Sequence, residues 1–212
     1  AISELKLNAS YGITGNESGI GDFTSLTVAT SKAYGDFSGI HVDQLGDSKL
    51  SWEETSQLNA GVTLGLFNDR ILLEYQYYNK KTTNLLLNKP LPASTGFTTI
   101  LSNVGEMENW GHEIMLNANI LEGPFSWTST FNFSYLKNEI TKLYQDQPID
   151  YGFTSRVAIG HSLGAFYVFK THDNDGNGTI LDENGDVEYL DRNEDGVLTD
   201  DDKYFAGKPL PD

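Results

Sequence analysis

Phe125-Ser-Trp-Thr-Ser-Thr-Phe-Asn-Phe-Ser-Tyr135 is the stretch that decides how this chain is read. Phe125, Trp127, Phe131, Phe133 and Tyr135 fall on one side, and Ser126, Thr128, Thr130, Asn132 and Ser134 on the other. A period of two is that of a β-strand with one apolar and one polar face. The same period recurs on both sides of it. Ile114, Leu116, Ala118 and Ile120 alternate with Glu113, Met115, Asn117 and Asn119. Leu73, Tyr75 and Tyr77 alternate with Glu74, Gln76 and Tyr78, and Leu58, Ala60, Val62, Leu64 and Leu66 with Asn59, Gly61, Thr63 and Gly65. The first run sets Leu5, Leu7, Ala9, Tyr11 and Ile13 against Lys6, Asn8, Ser10, Gly12 and Thr14.

These five runs of about 9–14 residues exceed the ~5–6 of ordinary soluble strands and suffice to cross a bilayer at a tilt. Their connections alternate in length. Phe67-Asn-Asp-Arg70 and Leu121-Glu-Gly-Pro124 are tight, whereas 15–51, 84–106 and everything after 139 read as long loops. Short turns on one side and long loops on the other are the pattern of an outer-membrane β-barrel. A soluble β-sandwich or carbohydrate-binding all-β domain also alternates. Against it stands an apolar face unbroken over five strands, opposite a face rich in Asn, Ser, Thr and Gly rather than charge.

Composition narrows the classes. The chain has 212 residues, no cysteine, and a net charge of −16 from 14 Lys+Arg and 30 Asp+Glu. Without cysteine there is no disulfide scaffold, thiolate metal site or cysteine nucleophile. The acidity excludes a nucleic-acid partner, whose phosphates need a positive footprint. No run approaches the ~20 apolar residues of a transmembrane helix, a test that transmembrane strands escape. An opening within a strand and an end at Lys208-Pro-Leu-Pro-Asp212 read as a piece of a larger protein.

The phrases linking the strands carry a resemblance. Tyr11-Gly-Ile-Thr-Gly-Asn16, Leu50-Ser-Trp-Glu-Glu-Thr-Ser-Gln-Leu-Asn59 and Gly65-Leu-Phe-Asn-Asp-Arg-Ile71 resemble segments of the SusC/RagA family of TonB-linked (TonB-dependent) outer-membrane transporters. So do Pro90-Leu-Pro92, Glu108-Asn-Trp-Gly-His-Glu113, Gly164-Ala-Phe-Tyr167, Asp191-Arg-Asn-Glu-Asp-Gly196 and Gly207-Lys-Pro-Leu-Pro211, in collinear order. The resemblance implies an all-β fold: an antiparallel transmembrane β-barrel segment of about five long strands plus long extracellular loops, from a large plugged barrel. It divides the chain into barrel strands and hairpins over 1–139 and a loop region over 140–212. It further implies the cell outer membrane, uptake of a glycan or peptide, a SusD-like surface lipoprotein, the TonB complex, and contact with outer-membrane lipid. The plug and the closing strands are not expected within these residues. The rival expectation is a soluble secreted carbohydrate-binding module with dockerin-like calcium loops.

Two acidic loops suggest a cation. Asp191, Asn193, Asp195, Gly196 and Asp202 have the spacing of a twelve-residue calcium loop, with Val197 supplying the carbonyl. Asp173, Asp175, Asn177 and Thr179 repeat the opening, but position twelve is Asn184. The expected ligands are therefore Asp191, Asn193, Asp195, Val197 and Asp202, with Asp173, Asp175, Asn177 and Thr179 as a second set for a structural Ca2+. The other reading is a solvated acidic loop.

No catalytic residue is assigned. Gly160-His-Ser-Leu-Gly164 matches a nucleophile elbow, but the aromatic run Ala165-Phe-Tyr-Val-Phe169 follows where a helix should open. His41, His112, His161 and His172 lack ligand spacing. Tyr11, Tyr75, Tyr77, Trp110, Trp127, Phe131 and Tyr135 are expected to face lipid or its interfaces. Tyr78, Phe97, Tyr144, Tyr151 and Phe153 are placed for the lumen or loops instead.

Overall fold

The computed structural model describes residues 2–171, 181 and 184–209. Five long antiparallel strands form one sheet: β1 (Ile2–Asn16), β4 (Glu53–Leu66), β5 (Ile71–Pro90), β6 (Thr99–Leu121) and β7 (Trp127–Lys142), side by side in that order. β2 (Val28–Tyr34) and β3 (Phe37–Gln44) pair as a hairpin inserted between β1 and β4. The short strands β8 (Ile149–Tyr151), β9 (Ser155–Val157), β10 (Ala165–Val168) and β11 (Tyr204–Gly207) form a separate four-stranded sheet.

Cross-strand register turns the sequence alternation into two faces. One row reads Leu5, Leu64, Leu73, Leu116, Phe131 and the next Leu7, Val62, Tyr75, Ile114, Phe133. On the opposite face the next row carries Asn8, Gly61, Gln76, Glu113 and Ser134. A single residue of slip in any pair would have mixed the two sets. Eight positions of β4 separate Leu66 from Leu58, the ends of the apolar band. At ~3.4 Å per residue and a tilt of ~40°, that band stands about 21 Å tall, close to the ~25 Å of a barrel wall. The apolar side is bare: Leu7 is 76% exposed and Phe131 59%. A soluble sandwich would bury it, so this face answers to lipid rather than to water. Between β1 and β7 the sheet is an open arc, not a closed barrel.

Aromatics mark the edges of the band. Tyr11 and Trp110 share one outward row at the end nearer the long loops, with His112, Tyr77 and Tyr135 in the row below. Tyr75 Oη and His112 Nδ1 lie 2.8 Å apart, and the Tyr77 and Trp110 rings pack around the same imidazole. Trp127, opposite Leu121, stands at the short-turn end. Phe67, Asn68 and Asp69 take positive φ in the tight turn, and Arg70 ties it to the end of β6 by donating to the Asn119 and Ile120 carbonyls at 3.2 and 2.9 Å.

The loops expected from sequence are partly strands. Of the presumed connection 84–106, only 91–98 is loop, because β5 reaches Pro90 and β6 begins at Thr99. A register break at 82–86, with Asn84 at φ 57°, interrupts the alternation there and hides the strand. The break delivers Leu85 and Leu87 to the polar side of the sheet. There they meet Ile140, Leu143, Ile149 and Val157, with Met107 beside them. That small core clamps the β8–β9 hairpin against the inner face of the long strands. The stretch after 139 is likewise more than loop: β7 continues to Lys142, and the four-stranded sheet follows.

Candidate functional site: the inner face and the acidic loop

Polar side chains converge on the inner face level with the outer aromatic row. Gln57 and Asn59 on β4, Gln76, Tyr78 and Lys80 on β5, Asn109 and Glu113 on β6 line a concave patch of about 570 Å³. The amides are held in place. Gln57 Nε2 donates to Asn59 Oδ1 at 2.8 Å, and Asn59 Nδ2 to Ser10 Oγ at 3.1 Å. Asn138 Nδ2 donates to Asn109 Oδ1. Gly111 opens the floor, since a Cβ there would meet the Tyr135 carbonyl oxygen and, at 2.7 Å, Tyr78 Oη. The phenol ring of Tyr78 lies across that gap, with Lys80 Nζ 5.8 Å from its centroid. A surface of amides, one phenol and few charges donates and accepts hydrogen bonds in both senses, which suits contact with polar solutes or polar protein surface. Of these residues only Tyr78 was singled out from the sequence. The others belong to the polar half of the alternation, but only the register brings them together.

Loop 191–202 turns its oxygens onto its own backbone. Asp191 accepts the Glu194 and Gly196 N–H groups at 2.8 and 2.7 Å, and Asn193 Oδ1 the Asp195 N–H at 3.0 Å. Asp195 Oδ1 accepts the Val197 N–H at 2.7 Å. Asp202, with none of its surface exposed, accepts from the backbones of Arg192 and Thr199 at 3.0 and 2.7 Å. The Thr199 N–H is the main cause that holds its carboxyl below the ordinary range, with the Asn193 and Arg192 N–H groups adding to it against the cost of burial. The donor chemistry suits a hard cation. Among the described residues, however, no three His, Asp or Glu side chains are gathered as a metal would need. Asp173, Asp175, Asn177 and Thr179 lie outside the described residues, as does His172.

Ser162 is placed by the wall, not by a base. Its hydroxyl donates to the Asn138 carbonyl at 3.0 Å, and the Leu163 N–H donates to Asn138 Oδ1 at 2.7 Å. The next element is strand β10, where an elbow would open a helix. The neighbouring His161 ring stacks on Phe205, centroids 3.5 Å apart. Among the aromatics assigned to loops, Tyr144 lies under Lys89 Nζ at 3.9 Å, while Tyr151 and Phe153 are bare at the β8–β9 turn.

Residues 2–208 match the family described as "TonB dependent receptor-like, beta-barrel". TonB-dependent receptor P39 of Formosa agariphila is 42% identical over 171 residues, which is 80% of this chain and 16% of that protein. TonB-dependent receptor SusC of Bacteroides thetaiotaomicron is 31% identical across 100% of this chain and 23% of its own length. Among solved structures, the RagAB peptide transporter superposes with a TM-score of 0.76 at 28% identity, covering 98% of this chain and 24% of that one. The RagAB peptide importer in the "open-open" state gives 0.77 at the same identity. The chain thus spans no more than about a quarter of the proteins it matches.

Proposed function

Because this chain belongs to the TonB-dependent receptor-like β-barrel family of the outer membrane, we propose that it is an arc of the wall of a nutrient importer. The observation that carries the reading is the paired register: an apolar outer face for lipid and, one residue out of phase, a polar inner face along the import path. The imported class is a glycan or a peptide, as the relatives SusC and the RagAB peptide importer suggest. A SusD-like surface lipoprotein would cover the loop side, and the TonB complex would supply energy through parts of the parent protein beyond this arc. The test is genetic. Deletion of the parent, and separately of TonB, is compared with wild type for growth on a panel of purified polysaccharides and protein digests. Both deletions are expected to lose growth on the same nutrient; unchanged growth on every one would contradict the reading.

The family is one of receptors, not of enzymes, and no catalytic role is proposed for Ser162. Full-length parent and its Ser162→Ala variant are expected to show the same background rate on p-nitrophenyl acetate.

For loop 191–202 we propose a structural Ca2+ held by Asp191, Asn193, Asp195, the Val197 carbonyl and Asp202. The spacing supports it. Since the carboxylates already accept backbone N–H groups, binding belongs in the weak range of extracellular calcium modules, Kd ~10⁻⁴–10⁻³ M. Calorimetric titration of the parent should give heat that Asp195→Ala abolishes. Equal heat from the two proteins, or none from wild type, removes the proposal. The 173–179 set is proposed as a second, weaker site, to be read from the stoichiometry of that titration.

A further inference from the structure

We propose that the cleft between β8 and the outer part of the β5–β6 hairpin takes an extended oligopeptide, paired along the free edge of β8. This deepens the importer reading and rests on it. Among the described residues the four-stranded sheet ends at β8, so one side of that strand has no partner strand there. The phase of the ladder says which groups face the gap. The Tyr167 N–H donates to the Thr154 carbonyl at 2.8 Å, so the backbones of residues 154 and 156 turn toward β10. Ser155 and Val157 therefore turn toward β8, where they pair with Tyr151 and Ile149. Asp150 is left with its N–H and C=O pointing out of the sheet.

The strand is braced for such a role. Ile149 and Val157 are buried in the core that pins the hairpin to the wall. Arg156 donates twice to the Asp150 carboxylate, at 2.6 and 3.2 Å, and lies 3.9 Å over the Tyr167 ring. The edge therefore presents backbone without a net charge. Across from it the cleft, about 470 Å³, is floored by Leu86, Leu87, Leu101 and Pro148, with Asn88 and Tyr151 at its rim. That volume lies within the ~300–1,000 Å³ of ligand sites. Main-chain donors and acceptors beside apolar pockets are the recognition chemistry of strand addition. A saccharide would leave its hydroxyls facing leucine and proline, at the cost of unsatisfied polar groups. The cleft lies on the inner side of the sheet, which lipid does not reach.

The test uses the purified full-length parent in detergent and a tryptic digest of casein as probe. Retained peptides are counted by mass spectrometry after gel filtration. Wild type is expected to retain peptides. Asp150→Pro removes the outward N–H at an edge position that tolerates proline, and Leu101→Trp fills the floor. Each is expected to lower retention about tenfold or more, the loss of roughly one good hydrogen bond or pocket contact. If either variant fails to migrate as a folded barrel, the other decides. Retention within twofold of wild type overturns the site, and so does a wild type that retains nothing. Neither result touches the importer reading, which the TonB-dependent growth assay judges separately.

Discussion

Asn103 holds three parts of the rim with one amide. Its Oδ1 accepts the Ser51 N–H at 2.7 Å, and its Nδ2 donates to the Ser51 and Asn84 carbonyls at 2.8 and 2.6 Å. The loop before β4, the register break in β5 and strand β6 are thereby joined. Asn103→Ala is expected to cost about 0.5–1.5 kcal/mol, because the bonds lost are solvent-exposed and water can take up the freed backbone groups. Thermal unfolding of the full-length protein in detergent measures it. Asp47 makes a second tie, accepting from Ser102 Oγ and the Lys49 N–H at 2.5 and 2.9 Å. The Ser102 hydroxyl is the chief cause that lowers the Asp47 carboxyl from its ordinary value near 3.8. A depressed folded value means the carboxylate stabilises the fold above the unfolded value, and that the gain is lost as pH falls through the folded one. Protection factors of residues 47–52, exchange rates taken relative to the intrinsic rate at each pH, should therefore fall on acidification through that range, and in Ser102→Ala the fall should be smaller.

At the scale of the element, one-residue alternation carries both faces, and substitutions test it in pairs. Val62→Arg puts a charge on the lipid face at the middle of the band and should cost ~2–4 kcal/mol of folding free energy. Thr63→Arg, one position away on the inner face, should cost little. Reversible folding of the parent into lipid vesicles from denaturant gives both values. Gly111→Val is expected to destabilise as well, because its side chain would enter the space that the Tyr78 ring and the Tyr135 carbonyl share. The long strands were legible in sequence because each repeats the period many times, as 125–135 does. β8, β9 and β11 were not, since three or four residues set no period, and β10 showed only as the β-like aromatic run 165–169. The break at 82–86 hid the upper halves of β5 and β6 for the converse reason, a true strand whose parity changes midway. The inner patch was legible only as a class of residues. Gln57, Tyr78 and Asn109 lie 21 and 31 positions apart in the chain and meet through pairing alone. In loop 191–202 the spacing suggests ligands, and the folded Asp191 and Asp202 carboxylates also accept backbone N–H groups.

For the whole molecule, shape and charge have the same explanation. Acidity that would sit oddly on a small globule is concentrated in the stretch 173–202 of the sequence. The aromatic excess is divided between the outer band and the inner and rim surfaces that Tyr78, Tyr151 and Phe153 occupy. The absence of cysteine makes the central claim, that the two faces meet lipid and a watery lumen in strict alternation, directly measurable. Single cysteines replacing Val62, Thr63 and Leu64 in a parent free of other cysteines are exposed, in intact outer membranes, to a water-soluble maleimide. Position 63 is expected to label while 62 and 64 stay protected and react only with a lipid-soluble reagent. Uniform labelling at all three positions, or labelling of 62 and 64 with 63 protected, would contradict that alternation.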